Sequence, residues 1–153
     1  MSVFEESLNT LMVDIYRDLD LLEEQMLDAS KLNLSISEVH MLEAVQNAGA
    51  DGLATISELS DYLSISLPSV TLCVNKLAGK GCVEKRKNRS DGRVVEVELT
   101  KQGRKAERAH RYFHRSMVRE IAAEMNETER AALMQGITKL DGFLKRNIEK
   151  YKK

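Results

Sequence analysis

The stretch Thr55–Gly103, TISELSDYLSISLPSVTLCVNKLAGKGCVEKRKNRSDGRVVEVELTKQG, decides the fold of this chain. At its start, Thr55 is followed three residues later by Glu58, which is the spacing of a helix-capping box. Apolar residues then recur at helical intervals as far as Leu63. This pattern predicts a first short helix, and the serine-rich residues that follow it predict a turn.

A second helix is predicted directly after this turn. Ser66 is a favourable N-cap, and Pro68 falls in the first helical turn, where proline costs no hydrogen bond. The apolar residues at i, i+3, i+4 and i+7 are expected to face the core: Val70, Cys73, Val74 and Leu77. The other faces carry Ser69, Thr71, Leu72, Asn75 and Lys76. This mainly small, polar and basic surface is typical of a helix that enters the DNA major groove.

A basic hairpin is predicted next. The second helix should end at two glycines, and because these follow a helix rather than open one, they do not form a phosphate-binding loop. Two strands, Cys82–Lys85 and Val94–Leu99, flank a loop with the turn signal Asp91-Gly92. The hairpin carries five basic residues: Lys85, Arg86, Lys87, Arg89 and Arg93. Five like charges are not buried together, so their expected partner is a phosphate backbone, and the alternative is a solvated loop.

The predicted fold class is therefore mainly α with a small β-hairpin wing, a winged helix-turn-helix that binds double-stranded DNA. In the second helix we expect contacts to DNA from Ser66, Pro68, Ser69, Thr71, Leu72, Asn75 and Lys76. Asn75 is suited to adenine, and the Thr71 methyl group to thymine. In the wing, Arg89 and Arg93 are the first candidates, followed by Lys85, Arg86 and Lys87. Asp91 is expected to orient a neighbouring arginine.

Charge is distributed very unevenly along the 153 residues. The formal net charge is −1, but residues 1–62 carry 13 acidic and 2 basic side chains, whereas residues 76–105 carry 10 basic and 4 acidic. Attachment to DNA depends on the local field, so a near-neutral total does not exclude it. A hydrophobic content of 42% with one proline indicates a single, mostly helical domain or one elongated dimer-forming unit.

The N-terminal residues do not resemble a signal peptide, and no long apolar span is present, so we expect a cytoplasmic protein with no membrane association. Cys73 and Cys82 are expected to be reduced thiols in that compartment. A redox switch at these cysteines is the weaker alternative, and they lack the paired spacing of metal ligands.

Long helices are predicted on both sides of the DNA-binding region. One runs from Phe4 to about Lys31, and a second begins near Ser37, capped by Ser35 or Ser37, and reaches Asn47. After Gly103 a helix of about twenty residues ends at Asn126, and Thr128 with its neighbours Glu127 and Glu129 opens the last helix. The apolar faces of these helices need to be buried, and we expect a second subunit to bury them. The expected segments are a dimerisation helix over 1–34, the DNA-binding domain over 35–103 and dimerisation helices over 104–153.

Two segments carry a specific family resemblance. Residues 91–103, DGRVVEVELTKQG, resemble the wing of the MarR family of bacterial transcriptional regulators, and residues 81–85, GCVEK, resemble the strand before it. The resemblance implies an intertwined homodimer whose two recognition helices read a pseudo-palindromic operator. By two-fold geometry, these helices would enter successive major grooves about 34 Å apart.

The histidines suggest a metal site. His110 and His114 are four residues apart on one predicted helix, a spacing that lets both imidazoles meet one ion. Glu24 and His40 would complete the site if the fold brings their helices together, and this ligand set suits zinc. MarR relatives that repress zinc uptake use such a set, so the resemblance implies a zinc-responsive repressor. The alternative is that these histidines form hydrogen bonds at a helix junction.

A second resemblance favours another effector. Residues 22–24, 36–40 and 110–118 resemble the FabT branch of the MarR family, which represses fatty-acid synthesis. There the co-repressor is an acyl chain on acyl carrier protein. This implies an apolar tunnel for the chain, and candidate lining residues are Leu19, Leu22, Phe113, Met117 and Ile121. The alternative is that these residues are ordinary core.

Two other functional classes remain. A metal-dependent hydrolase with Glu24 as general base is a distant alternative, because the sequence has no nucleophile elbow and no glycine cradle. A protein-interaction module without DNA binding leaves the basic hairpin unexplained.

Overall fold

The computed structural model describes residues 1–151, which form six α-helices and three strands. In chain order the elements are α1 (Val3–Ser30), α2 (Ile36–Asn47), a short 3-10 turn (Ala50–Gly52), β1 (Leu53–Thr55), α3 (Ile56–Leu63), α4 (Leu67–Gly79), β2 (Val83–Lys87), β3 (Val95–Leu99), α5 (Lys101–Ala123) and α6 (Glu127–Tyr151). This confirms a mainly helical fold with a small β wing.

The chain divides into two compact units. The first spans Met1–Arg111, and the second begins at Tyr112, so the division falls within α5. The first unit contains the sheet and the two short helices of the helix-turn-helix.

Capping boxes set the starts of three helices. Ser2 with Glu5, Ser35 with Glu38, and Thr55 with Glu58 each exchange side-chain and backbone hydrogen bonds. Of the two serines proposed for α2, the N-cap is therefore Ser35. The last helix begins at Glu127, within the predicted start, and is capped by Asn126: its Oδ1 accepts from Glu129 N at 3.0 Å, and Glu129 Oε2 accepts from Asn126 N at 2.8 Å. The preceding helix ends at Ala123, three residues before the predicted end at Asn126.

The sheet has three antiparallel strands in the order β1-β3-β2. The sequence pattern predicted only the β2-β3 hairpin, because β1 is three residues long and runs directly into the cap of α3. Strand β2 also begins one residue later than predicted and extends to Lys87. In the hairpin register, Lys85 lies opposite Val97 and Arg86 opposite Glu96.

The core of the first unit lies between α2, the helix-turn-helix and the sheet. Its members are fully or almost fully buried: Val39, Leu42, Val45, Leu59, Val70, Val74, Leu77, Cys82, Val83, Val97 and Leu99. Cys73, expected to face inward with Val70 and Val74, is only partly buried. Gly103 lies so close to β2 that an added Cβ would be 1.9 Å from the carbonyl oxygen of Cys82.

The terminal helices expose much of their apolar surface in the single chain. On α1 the exposed residues include Phe4, Leu8, Leu11, Ile15, Leu19 and Leu22, and on α6 they include Leu133, Ile137, Leu144 and Ile148. Within residues 1–151, no helix combines the length and the hydropathy needed to cross a membrane.

Candidate nucleic-acid interface

Helix α4 presents a polar face because its apolar positions fix its rotation. Val70, Val74 and Leu77 are fully buried in the core. All the candidate DNA contacts on this helix are exposed: Ser66, Pro68, Ser69, Thr71, Leu72, Asn75 and Lys76. Leu72, the one large apolar side chain in this set, has 59% of its surface exposed.

The N-terminus of α4 is held by local hydrogen bonds. Ser66 Oγ accepts from Ser69 N at 3.3 Å, and the two hydroxyl oxygens are 2.8 Å apart. In the preceding turn, Ser64 has a left-handed backbone with φ 54°, and Ser60 Oγ donates to the Ile65 carbonyl at 2.6 Å. These contacts fix the angle at which α4 follows α3.

The tip of the wing is organised by Asn88, which the sequence analysis did not single out. Its Oδ1 accepts from the backbone N–H groups of Ser90 and Asp91 at 2.8 and 3.0 Å, and its Nδ2 donates to Glu96 Oε1. The loop closes with Val94 N donating to the Asp91 carbonyl. Asparagine in a polar loop favours such a side-chain turn, in which its carboxamide oxygen accepts from the backbone two and three residues on.

The five basic wing residues are all exposed but differ in their acidic neighbours. The Arg86 guanidinium lies 3.8 Å from Glu96 and 3.3 Å from Glu98. Arg93 Nε lies 3.4 Å from Asp91 Oδ1, so Asp91 does orient an arginine as expected. Lys87 and Arg89 form no ion pair with any residue of the described chain. Their charges are therefore fully available to an external anion.

Lys85 connects the wing to α4. Its Nζ donates to Asn75 Oδ1 at 2.6 Å, so two candidate contacts on different elements meet directly. The structure therefore joins the exposed face of α4 and the base of the wing into one continuous polar surface.

A buried acidic residue anchors the other end of α4. Glu38 Oε2 accepts from Lys80 Nζ at 2.8 Å, and Lys80 also donates to the Asn33 carbonyl at 2.8 Å. Burial alone would raise the pKa of Glu38, but the hydrogen bonds from Lys80 and Ser35 and the charge of Lys80 together hold this pKa below its usual value. This pair could not be predicted from a local pattern, because its members are 42 residues apart in the sequence.

The candidate metal ligands are only partly brought together. His40 Nε2 and His110 Nε2 lie 3.5 and 3.4 Å from the two carboxylate oxygens of Glu23, and the two rings meet edge to face. Glu23 thus occupies the place expected for Glu24, which is exposed and lines a surface cavity that His40 also lines. The difference follows from helix geometry, since adjacent residues point about 100° apart. His114 lies in the second unit, where its ring packs edge-on against Phe113.

The candidate acyl-binding residues lie in both units. In the first, Leu19 and Leu22 on α1 are exposed; in the second, Phe113 and Met117 on α5 are partly buried and Ile121 is exposed. A tunnel formed by these residues stays a prediction.

Both cysteines are thiols that resist ionisation. Burial raises the pKa of Cys73 and of Cys82, and the negative charge of nearby Glu38 raises both further. Because the thiolate is the reactive form, these surroundings do not favour a redox switch.

Comparisons with known proteins identify the family. The sequence model of the MarR family matches residues 34–95. The crystal structure of Streptococcus pneumoniae FabT in complex with DNA is 34% identical, covers 93% of this chain and 98% of its own, and superposes with a TM-score of 0.88. A mutant of Escherichia coli MarR complexed with operator DNA is 26% identical, with 92% and 99% coverage and a TM-score of 0.69. No curated protein matches significantly in sequence. The chain belongs to the MarR family and, within it, resembles FabT.

Proposed function

We propose that the protein is a sequence-specific DNA-binding transcriptional repressor that reads a pseudo-palindromic operator as a homodimer. The observation that carries this proposal is the surface described above, in which the exposed polar face of α4 meets a basic wing through Lys85 and Asn75. Such a surface supplies both elements of DNA recognition, since a helix reads bases in the major groove and basic groups bind phosphates.

The two relatives described above support duplex DNA as the partner, because each was solved in complex with DNA. No catalytic step is part of the proposal. Glu24, the general base of the hydrolase alternative, is an exposed residue of α1.

The homodimer accounts for the exposed apolar faces of the terminal helices. A soluble monomer rarely leaves such a stripe in water, and a second copy with the same stripe covers it by two-fold symmetry. In this proposal residues 1–34 and 104–153 form the dimer, and residues 35–103 form the DNA-binding domain. Two α4 helices about 34 Å apart then enter successive major grooves.

The proposed targets are genes of fatty-acid synthesis, with an acyl chain on acyl carrier protein as co-repressor. The support is the resemblance to FabT over nearly the whole chain. The candidate chain-binding residues are Leu19, Leu22, Phe113, Met117 and Ile121. For co-repression, the acylated carrier must bind the conformation that binds DNA more tightly than it binds the conformation that does not.

Fluorescence anisotropy with a labelled duplex from the upstream region of its own gene tests the proposal. The metal-stripped protein is titrated at fixed salt, alone, with acylated acyl carrier protein, and with the unacylated carrier as the matched control. Tighter binding with the acylated form alone supports the fatty-acid role. Equal effects of both carrier forms contradict a role for the acyl chain, and absence of duplex binding at low ionic strength under every condition contradicts the DNA-binding proposal.

A zinc-responsive repressor of metal uptake is the second candidate, and the cluster of Glu23, His40 and His110 favours it. Two ligands of a tetrahedral zinc with bonds of about 2.0–2.1 Å are separated by about 3.4 Å. The nitrogen–oxygen distances of 3.4 and 3.5 Å are close to that separation. The alternative is a hydrogen-bonded helix junction.

Adjacent carboxylates provide a matched test of the zinc site. We expect Glu23→Gln to weaken zinc binding by at least about tenfold in calorimetric titration, and Glu24→Gln to leave it unchanged. The reverse result would restore Glu24 as the ligand. Zinc binding that is absent from the wild-type protein, or present without any effect on DNA affinity, contradicts the zinc-responsive candidate.

A further inference from the structure

The hydrogen bond between Lys85 and Asn75 follows from the register of the hairpin. Side chains alternate between the two faces of a strand, and Lys85 lies opposite the fully buried Val97, on the face that packs against the helices. Val83, two residues earlier on the same face, is buried in the core. Lys85 therefore lies just beyond the edge of the core, and its ammonium group, although exposed, reaches Asn75 on α4.

The neighbouring residue Arg86 illustrates the difference between the two faces. It points to the other side of the sheet, where its guanidinium is held by Glu96 and Glu98. Lys85 forms no such ion pair within residues 1–151. Its Nζ instead donates a hydrogen bond to the amide oxygen of Asn75 at 2.6 Å. Lys85 therefore holds the side chain of Asn75, which is itself a candidate DNA contact.

This hydrogen bond determines which end of the Asn75 amide is available to a base. An asparagine side chain has an acceptor oxygen and a donor nitrogen, and its orientation is set by its hydrogen bonds. An ammonium group only donates, so it must engage Oδ1. With Oδ1 engaged by Lys85, Nδ2 is the end of the amide left to meet a base in the groove that α4 would enter.

We propose that Lys85 is a positioning residue that sets the base specificity of Asn75, so that this operator position is read through a donor and cytosine is rejected there. The inference rests on the proposed DNA-binding function and deepens it. In the major groove, adenine, guanine and thymine each offer an acceptor at N7, O6 or O4, whereas cytosine offers the N4 donor. A donor facing a donor leaves both groups without a partner.

Loss of Lys85 frees the amide to rotate. Rotation about the last side-chain bond of Asn75 by half a turn presents Oδ1 to the groove, and cytosine N4 then has an acceptor. Loss of Lys85 therefore changes which base Asn75 prefers as well as the affinity of the protein for DNA. By contrast, Lys87 forms no ion pair in the described chain and would act on all sequences alike through its charge.

Selection from a pool of duplexes with a randomised operator tests the proposal, with sequencing of the bound fraction at fixed salt. The variants are Lys85→Met, which removes the donor and keeps the aliphatic stem, and Lys87→Met, which removes the same charge two residues along the same strand face. We expect Lys85→Met to increase the acceptance of cytosine at one position of each half-site by about tenfold relative to the other bases. Lys87→Met should weaken binding without changing base ratios.

Two further variants separate positioning from direct reading by Lys85. Asn75→Ala should relax the same position, and adding Lys85→Met to it should cause no further change in base ratios. Lys85→Arg, which also donates to Oδ1, should retain the rejection of cytosine.

Unchanged base ratios in Lys85→Met overturn the inference. Rejection of cytosine that persists in Asn75→Ala and disappears only when Lys85 is also replaced overturns it as well. A wild-type protein that selects no sequence overturns the proposed function as well, whereas wild-type selection of a palindrome with no effect of Lys85→Met overturns this inference alone.

Discussion

Lys80 Nζ lies 2.8 Å from Glu38 Oε2, and this pair joins the residue that caps the end of α4 to the first turn of α2. The same carboxylate oxygen accepts from the backbone N–H of Ser35 at 2.8 Å. One oxygen of this nearly buried side chain therefore caps α2 and fixes the C-terminal end of α4. Both functions depend on the ionised form of Glu38.

Removal of the Lys80 ammonium should destabilise the fold. Lys80→Met leaves the Glu38 carboxylate, 7% exposed, without its charged donor, and the expected loss is about 2 kcal/mol in the free energy of unfolding. Urea denaturation at fixed protein concentration measures it. The control is Lys76→Met, since Lys76 is exposed on the same helix and forms no ion pair within residues 1–151. Equal midpoints for the two variants would contradict a structural role for the pair.

The stability of the protein should fall in acid partly through Glu38. Its pKa is lower in the folded protein than its ordinary value, so the ionised carboxylate stabilises the fold above the unfolded pKa of about 4.3, and this contribution is lost as the pH falls through the folded pKa. Glu38→Gln should therefore lower stability at neutral pH and flatten its dependence on pH below about 5. Unfolding free energies from pH 7 to pH 3 test this. Parallel curves for the two proteins would exclude Glu38 as a source of acid sensitivity.

Features that depend on neighbours in the chain could be predicted from the sequence. The capping box of Thr55 and Glu58 and the N-cap at Ser66 involve residues three apart, so their chemistry is visible in the sequence. The rotation of α4 was also predictable, because Val70, Val74 and Leu77 have no alternative to the core. The role of Asn126 as the cap of the last helix was not predicted, because Asn126 and Thr128 are both acceptable caps two residues apart.

Features that depend on tertiary structure could not be predicted in this way. Strand β1 is too short to have a pattern and exists because β3 offers it a free edge. Which of Glu23 and Glu24 faces His40 depends on the rotation of α1, and a run of two glutamates does not reveal it. The Lys85–Asn75 contact likewise depends on the register of the hairpin against α4.

The close packing of α5 on β2 requires a glycine at position 103. An added Cβ would be 1.9 Å from the Cys82 carbonyl oxygen, so Gly103→Ala must displace backbone, and we expect a loss of about 3 kcal/mol or more. Gly79→Ala is the matched control, because Gly79 is the last residue of α4 and has no atom within 4 Å of the added Cβ. That substitution should stabilise the helix by up to about 1 kcal/mol. Thermal unfolding of both variants, followed by circular dichroism, decides between tight packing and a tolerant site.

Arg86 on β2 and Arg93 in the wing loop should differ in their effect on DNA binding. Arg93 has a side chain that is 95% exposed and a single acidic neighbour, whereas Arg86 is 47% exposed and lies between Glu96 and Glu98. Because Arg93 is available to a phosphate, Arg93→Ala should weaken binding to all duplexes and reduce the slope of log affinity against log salt by about one per subunit.

Arg86→Ala should change that slope much less, because part of its charge is already neutralised on the opposite face of the sheet. Anisotropy titrations of both variants over a range of salt concentrations, with one operator and one unrelated duplex, measure the slopes. An unchanged slope in Arg93→Ala would remove Arg93 from the set of phosphate contacts. A larger change in Arg86→Ala than in Arg93→Ala would mean that Arg86 leaves Glu96 and Glu98 when DNA binds, so that the ion pairs of the free protein are exchanged for a phosphate.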